Sequence, residues 1–210
     1  MNGGDLTRRL CHGEVFQTDA GRVKIHCRHI GDVVIVSGRM VMCSPEACGL
    51  AGGVSSFEPV LSAGRYPVIL ALAEQADGTW IVASASVRLT DRLPVSWEVA
   101  PLAIYSEHAE LDAFMDAEAE KVFGDMMLAN ETKTWHDMLR ALEENSQGYI
   151  SWANILLDER TGLNLIVWAN GGDVGSRGNG TGLDAEGRRV CITSFYQLPS
   201  DPGELWNPFA

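Results

Sequence analysis

The sequence predicts an α+β protein built on a mainly antiparallel β-sheet, sandwich-like or strongly curved, with two consecutive helices inserted around residues 111–147. Three observations carry this prediction. Period-two alternation dominates residues 22–43 and 65–89, helical periodicity is confined to the middle of the chain, and strand patterns return after Gly148. Strands, then helices, then strands again is the order of an α+β fold rather than of a parallel βαβ repeat.

The elements follow in order. Residues 1–21 read as a loosely attached N-terminal arm with a short strand at Glu14 to Gln17. From Arg22 to His29, Val23, Ile25 and Cys27 alternate with Lys24, His26 and Arg28, the pattern of a half-buried strand. Gly31-Asp32 supplies a turn, and Asp32 to Cys43 continues as one or two strands with a bulge at Gly38, stopped by Ser44-Pro45. Gly49 to Gly64 is a Gly- and Ser-rich connection. Arg65 to Glu74 is a buried strand, and Asp77-Gly78 turns it into Thr79 to Leu89. Leu93 to Tyr105 is a further strand whose Pro94 and Pro101 restrict it to an edge or a break.

Leu111, Phe114, Met115, Val122 and Met126 then share one helical face, and Trp135, Met138, Leu139 and Leu142 share another. Thr134 with Asp137 resembles a cap for the second helix, and Gly148 its stop. Tyr149 to Asp158 and Leu163 to Ala169 form a hairpin through Arg160-Thr161-Gly162, and Arg189 to Leu198 is the last strand. No repeat and no internal boundary is visible, so the organisation is arm 1–21, one α+β domain 22–198 and a tail 199–210.

Composition narrows the function. Against 16 basic side chains stand 28 acidic ones, a formal net charge of -12. Phosphate binding needs a clustered basic surface, and Arg8-Arg9 and Arg188-Arg189 are only pairs, so a nucleic-acid partner is excluded. An acidic surface instead steers basic proteins or cations, or keeps the chain soluble. MNGGDLTRRL lacks the apolar core of a signal peptide, and runs such as Pro67 to Ala73 are too short to span a bilayer. Cys11, Cys27, Cys43, Cys48 and Cys191 are odd in number and irregular in spacing, which fits free thiols in a cytoplasmic setting.

The densest titratable set is His108, Glu110, Asp112 and Asp116, with Glu98 nearby. On a helix Asp112 and Asp116 stand at i, i+4 on one face, where paired carboxylates either raise a pKa or hold a cation. Carboxylates early in a helix also favour the positive end of its dipole with no function at all. In Gly171 to Gly187 there is no lysine for a phosphate loop, and Gly175 and Arg177 break a calcium-loop pattern. The segment reads as a flexible inter-strand loop whose Asp173, Arg177 and Asn179 offer a binding surface. Trp206, in the apolar tail WNPFA, docks on the protein's own body or on a partner. His26, Cys27, His29, Cys43 and Cys48 suggest zinc, with Cys43 approaching the Cys27 strand, yet paired ligand spacings are missing and no metal or other cofactor is expected. There is no G-x-S-x-G nucleophile elbow.

Separated segments, taken in order, resemble the uncharacterised bacterial domain-of-unknown-function family 4241. They are SGRMVMCSPE (Ser37 to Glu46), SAGRYPVILAL (Ser62 to Leu72), Ala83-Ser84-Ala85, WEVA (Trp97 to Ala100), FMDAEA (Phe114 to Ala119), ISWANILLDERTG (Ile150 to Gly162) and GLDAEGRRVCITSF (Gly182 to Phe195). They spread over about residues 22 to 196. The family pattern has Asp-x-Gly before the helix and Gly-Asp-Gly in the late loop. Here His108 and Glu110 take the first pair's places and GGDVGSRG replaces the second, leaving Asp116 and Asp173 as the carried-over positions. The resemblance implies a strand-rich α+β fold in a bacterial or phage setting and supplies no activity. The expected function is a cytoplasmic protein-binding module, of the immunity or antitoxin type, that masks a basic partner. The alternatives are a metal-assisted hydrolase on the acidic cluster and a structural or homo-oligomerising domain.

Overall fold

A computed structural model describes residues 3–18, 21–50, 56–57, 60–99, 110–170, 177–196 and 198. His108, Asp173 and Trp206 lie outside them. The chain is mostly antiparallel sheet with few helices, in two compact units. The first comprises Met1–His29, Pro67–Leu102 and Asp173–Ala210, the second Ile30–Tyr66 and Ala103–Gly172. No described helix is long and apolar enough to cross a membrane.

The first unit is organised on a seven-stranded sheet. Its strands are β1 (Val15–Thr18), β2 (Gly21–Ile35, whose last residues belong to the second unit), β4 (Gly64–Glu74), β5 (Trp80–Arg88), β6 (Ser96–Val99), β11 (Arg177–Leu183) and β12 (Arg189–Tyr196), in the order β1-β2-β4-β5-β12-β11-β6. The β4–β5 hairpin closes at Asp77-Gly78 as expected, with Asp77 Oδ1 accepting from the Thr79 N–H and hydroxyl.

Two expectations fail here. The N-terminal stretch is not a loose arm. Helix α1 (Gly3–Arg8) and the turn after it bury Leu6 and Leu10 (1% and 5% exposed) against Val190, Cys191, Phe195 and Trp97. Each such buried leucine contributes about 1.5–3 kcal/mol. Nor is 177–183 a loop, because β11 pairs with β12 on one side and β6 on the other. Gly182 lets neighbours close in: a Cβ there would stand 2.7 Å from Cys191 Sγ and 2.7 Å from the Pro94 ring. Glycine content read as loop here reports close packing instead.

The second unit holds a five-stranded sheet, β3-β7-β10-β9-β8. The strands are β3 (Met40–Cys43), β7 (Leu111–Asp116), β8 (Ser146–Gln147), β9 (Ile150–Asp158) and β10 (Leu163–Ala169), all pairs antiparallel. Odd-numbered residues (Val41, Cys43, Ala113, Met115, Leu165, Val167, Ala153) face α2 (Ala117–Glu143) and form one core with Ala119, Phe123, Met138 and Leu142. Even-numbered residues of β3, β7 and β10, among them Met42, Phe114, Ile166 and Trp168, are equally buried on the other face.

That double burial explains the main correction. Leu111–Asp116 is a strand, not the first helical turn; buried on both faces, it shows no readable period. Projecting a helix from Leu111 put Val122 and Met126 on the core side, whereas the helix starts at Ala117 and turns Ala119 and Phe123 inward. The two expected helices follow one another across a kink at Asn130, which leaves helical geometry (φ -161°, ψ 80°). Asn130 itself caps the second half, its Oδ1 accepting from the Lys133 N–H at 3.1 Å, so Thr134 is not the cap. The helix ends at Glu143, and Gly148 instead turns β8 into β9.

The Gly31-Asp32 turn is also absent, since β2 runs through it. Gly31 (φ +145°) permits a close approach: a Cβ there would lie 2.8 Å from Ile166 and 2.9 Å from Asn154.

Candidate functional site

Asp112 and Asp116 share a face, as read from the sequence, but of a strand. Residues i and i+4 coincide in both periodicities, yet a strand separates them by about 13 Å where a helix gives about 6 Å. Neither can share a proton or a cation with the other.

Asp116 is fully buried and fully engaged. Its Oδ2 accepts from the Val36 N–H, the Ser37 N–H and the Ser37 hydroxyl, each at 2.9 Å, and Oδ1 caps α2 through the Glu118 N–H at 2.7 Å. It is a clamp between a turn and a helix start. Asp112, also buried, accepts from Asn170 Nδ2 at 3.0 Å. Asn164, which the sequence reading passed over, ties the same face to β2. Its Oδ1 accepts from the Val34 N–H, and its Nδ2 donates to the Asp32 carbonyl and to Asn154 Oδ1. A lone asparagine inside the apolar run LNLIVWA was its only signal.

The other candidates are dispersed. Glu98 is exposed on β6 in the first unit, and Asn179 is buried on β11 opposite Ser194. Arg177 begins β11. Glu110, just before β7, is exposed.

Thiol chemistry is disfavoured. Cys43 sits on β3, which is not paired with β2, the strand of Cys27. β3 pairs with β7, and Cys43 meets Cys48 at 3.7 Å between sulfurs. The hydrogen bond to Cys48, burial, and the nearby Cys48, Glu120 and Asp112 groups push the Cys43 thiol up. Burial pushes Cys27 up to about 11 against a lesser pull from Arg88. Among the described residues no three His, Cys, Asp or Glu side chains converge as a metal would need.

A cavity of about 620 Å³ opens where α2 ends and where β7 and β9 begin. Its floor is Leu111, Leu139, Leu142 and Ala169, and its polar groups are Glu110, Glu143, Ser146, Ser151 and the phenol of Tyr149. Tyr149 is 91% exposed. None of the described lining residues is Lys, Arg or His. The α2 carbonyl end adds partial negative charge. The one basic residue of the last turn, Arg140, is tied to Asp137 at 2.8 Å. Glu143 and the capping Glu144 sit at the helix end, where acids are unfavourable. Chemically, the cavity suits an ammonium or guanidinium group carried on an apolar stem. No family model, no curated protein and no solved structure matches the chain.

Proposed function

We propose that this chain is a protein-binding module that holds a basic partner, in the manner of a cytoplasmic immunity or antitoxin protein. The observation that supports it is the cavity at the end of α2, where Glu110 and Glu143 stand over an apolar floor with no cationic side chain in the described lining. A lysine or arginine entering it buries its stem and keeps its charge beside two carboxylates. The net charge of -12 carries the same sign over the whole chain and raises the encounter rate with a basic protein. The resemblance to family 4241 adds a bacterial or phage setting. The rival reading, a metal-assisted hydrolase on His108, Asp112, Asp116, Glu98 and Asp173, draws little from Asp116, whose oxygens are taken by backbone donors and Ser37.

The test is calorimetric titration with arginine- and lysine-bearing peptides, with a basic folded protein, and with an acidic peptide as control. Binding of the basic probes alone is expected. The E110Q/E143Q double variant should weaken it about 5- to 30-fold, at about 0.5–1 kcal/mol for each exposed charge pair. Equal binding by wild type and double variant, or none by any basic probe, rejects the reading.

A further inference from the structure

The second unit's sheet has an open edge beside the cavity. β9 pairs with β10 from Trp152 to Asp158, but on its other side β8 and the Asn145 carbonyl before it cover only Ile150 to Trp152. Among the described residues no strand lies along Ala153–Asp158 on that side. Alternate residues of such an edge point N–H and C=O groups outward. The devices that usually blunt an edge are sparse. Ala153–Asp158 contains no proline and no lysine, and a register shift opposite Leu163 and Asn164 comes only near its far end. Leu156 is 55% exposed there. Ser151, two residues before Ala153, lines the cavity, a distance of about 7 Å along the strand.

We infer that the partner of this protein binds as an extended segment added antiparallel to β9, with a basic side chain near the segment's C-terminal end entering the Glu110–Glu143 cavity. The inference rests on the proposed function and specifies its partner. Antiparallel addition runs the incoming chain's C-terminal end toward Ile150, hence toward the cavity. Charge selects the occupant. A second copy would bring another chain of net charge -12 against this edge, whereas a basic segment meets Glu110 and Glu143 at one end and Asp158 and Glu159 at the other. Backbone bonds to the edge supply affinity, and the cavity supplies selection for a cation at one position.

The test leaves the protein untouched and varies the probe. Peptides of about eight residues, β-prone and carrying arginine at either the C-terminal or the N-terminal end, are titrated against the full chain. Each is also made with N-methyl groups on one or the other alternate set of backbone amides. The expected result is preference for C-terminal arginine, at least a tenfold loss when one alternate set is methylated, little change with the other set, and new amide-exchange protection along Ala153–Asp158. Equal tolerance of both methylated sets overturns strand addition while leaving the basic-partner reading standing. So does binding by a folded basic protein when no peptide binds. Failure of every basic probe removes both. Concentration-dependent self-association with protection of Ala153–Asp158 assigns the edge to a second copy and overturns the inference.

Discussion

Asp116 shows how a residue conspicuous in sequence is explained by satisfaction rather than reactivity. Removing its carboxylate orphans the N–H groups of Val36, Ser37 and Glu118 at once. Unsatisfied buried donors cost about 1–3 kcal/mol each before relaxation. Asp116→Ala should therefore lose about 3–5 kcal/mol in urea unfolding, and Asp116→Ser, which keeps a cap for Glu118, should lose less. A loss below about 1 kcal/mol would mean that the clamp contributes little. Asp184 supports the β11–β12 turn in a way that depends on pH. Burial pushes its carboxyl up. The Arg188 N–H and guanidinium, the Arg92 guanidinium and the Glu186 N–H outweigh that and hold it well below the ordinary carboxylate range. A depressed folded-state pKa gives stability that is complete above the unfolded value, about 3.9, and is lost as pH falls through the folded value. Stability should fall on acidification below about pH 4, and Asp184→Asn should flatten that part of the curve while lowering stability at pH 7. Parallel slopes for the two proteins would remove Asp184 from the account.

α2 depends on a backbone contact that helix propensity alone predicts wrongly. Gly124 lies against Gly49, and a Cβ on Gly124 would stand 2.7 Å from the Gly49 Cα and 2.8 Å from its nitrogen. Glu120 Oε1 accepts the Gly49 N–H at 2.9 Å and fixes that segment in place. Alanine at an exposed helical site gains about 1 kcal/mol over glycine, but overpacking against backbone costs about 1–3 kcal/mol. Gly124→Ala should therefore be net destabilising, by about 1 kcal/mol, in urea unfolding; a stabilised variant would show that the Gly49 loop yields freely. The sequence hid this contact, which is long-range. It displayed the hairpins at Asp77-Gly78 and Arg160-Thr161-Gly162 because their turn chemistry is local. β7 and β11 were illegible for opposite reasons. One is buried on both faces, and the other carries Gly182 where Cys191 and Pro94 press on it. The cavity was half legible. Glu110 stood in the acidic cluster, whereas Glu143, Tyr149 and Ser151 meet it only after α2 and β9 fold back together.

At the scale of the whole chain, 28 acidic and 16 basic side chains make electrostatics a property of the molecule, with opposite consequences for folding and for binding. Like charges repel within the compact state, so screening them stabilises it. Surface ion pairs such as Arg8–Glu14 and Lys121–Glu118 each contribute about 0–1 kcal/mol and do not reverse this sign. Attraction to a basic partner works across the solvent gap between two surfaces, and the screening length falls from about 30 Å at 0.01 M salt to about 8 Å at 0.15 M. Raising salt should therefore raise the melting temperature of the free protein while lowering its affinity for a basic peptide, mainly through a slower association rate. Thermal melts and stopped-flow binding over one salt series measure both. Sulfate and chloride should be compared, because a rise in melting temperature with sulfate alone would reflect exclusion from the surface rather than screening. If the association rate is flat across the series while the melting temperature rises, the acidic excess serves the free chain only. The cavity would then have to recognise its partner by contact alone.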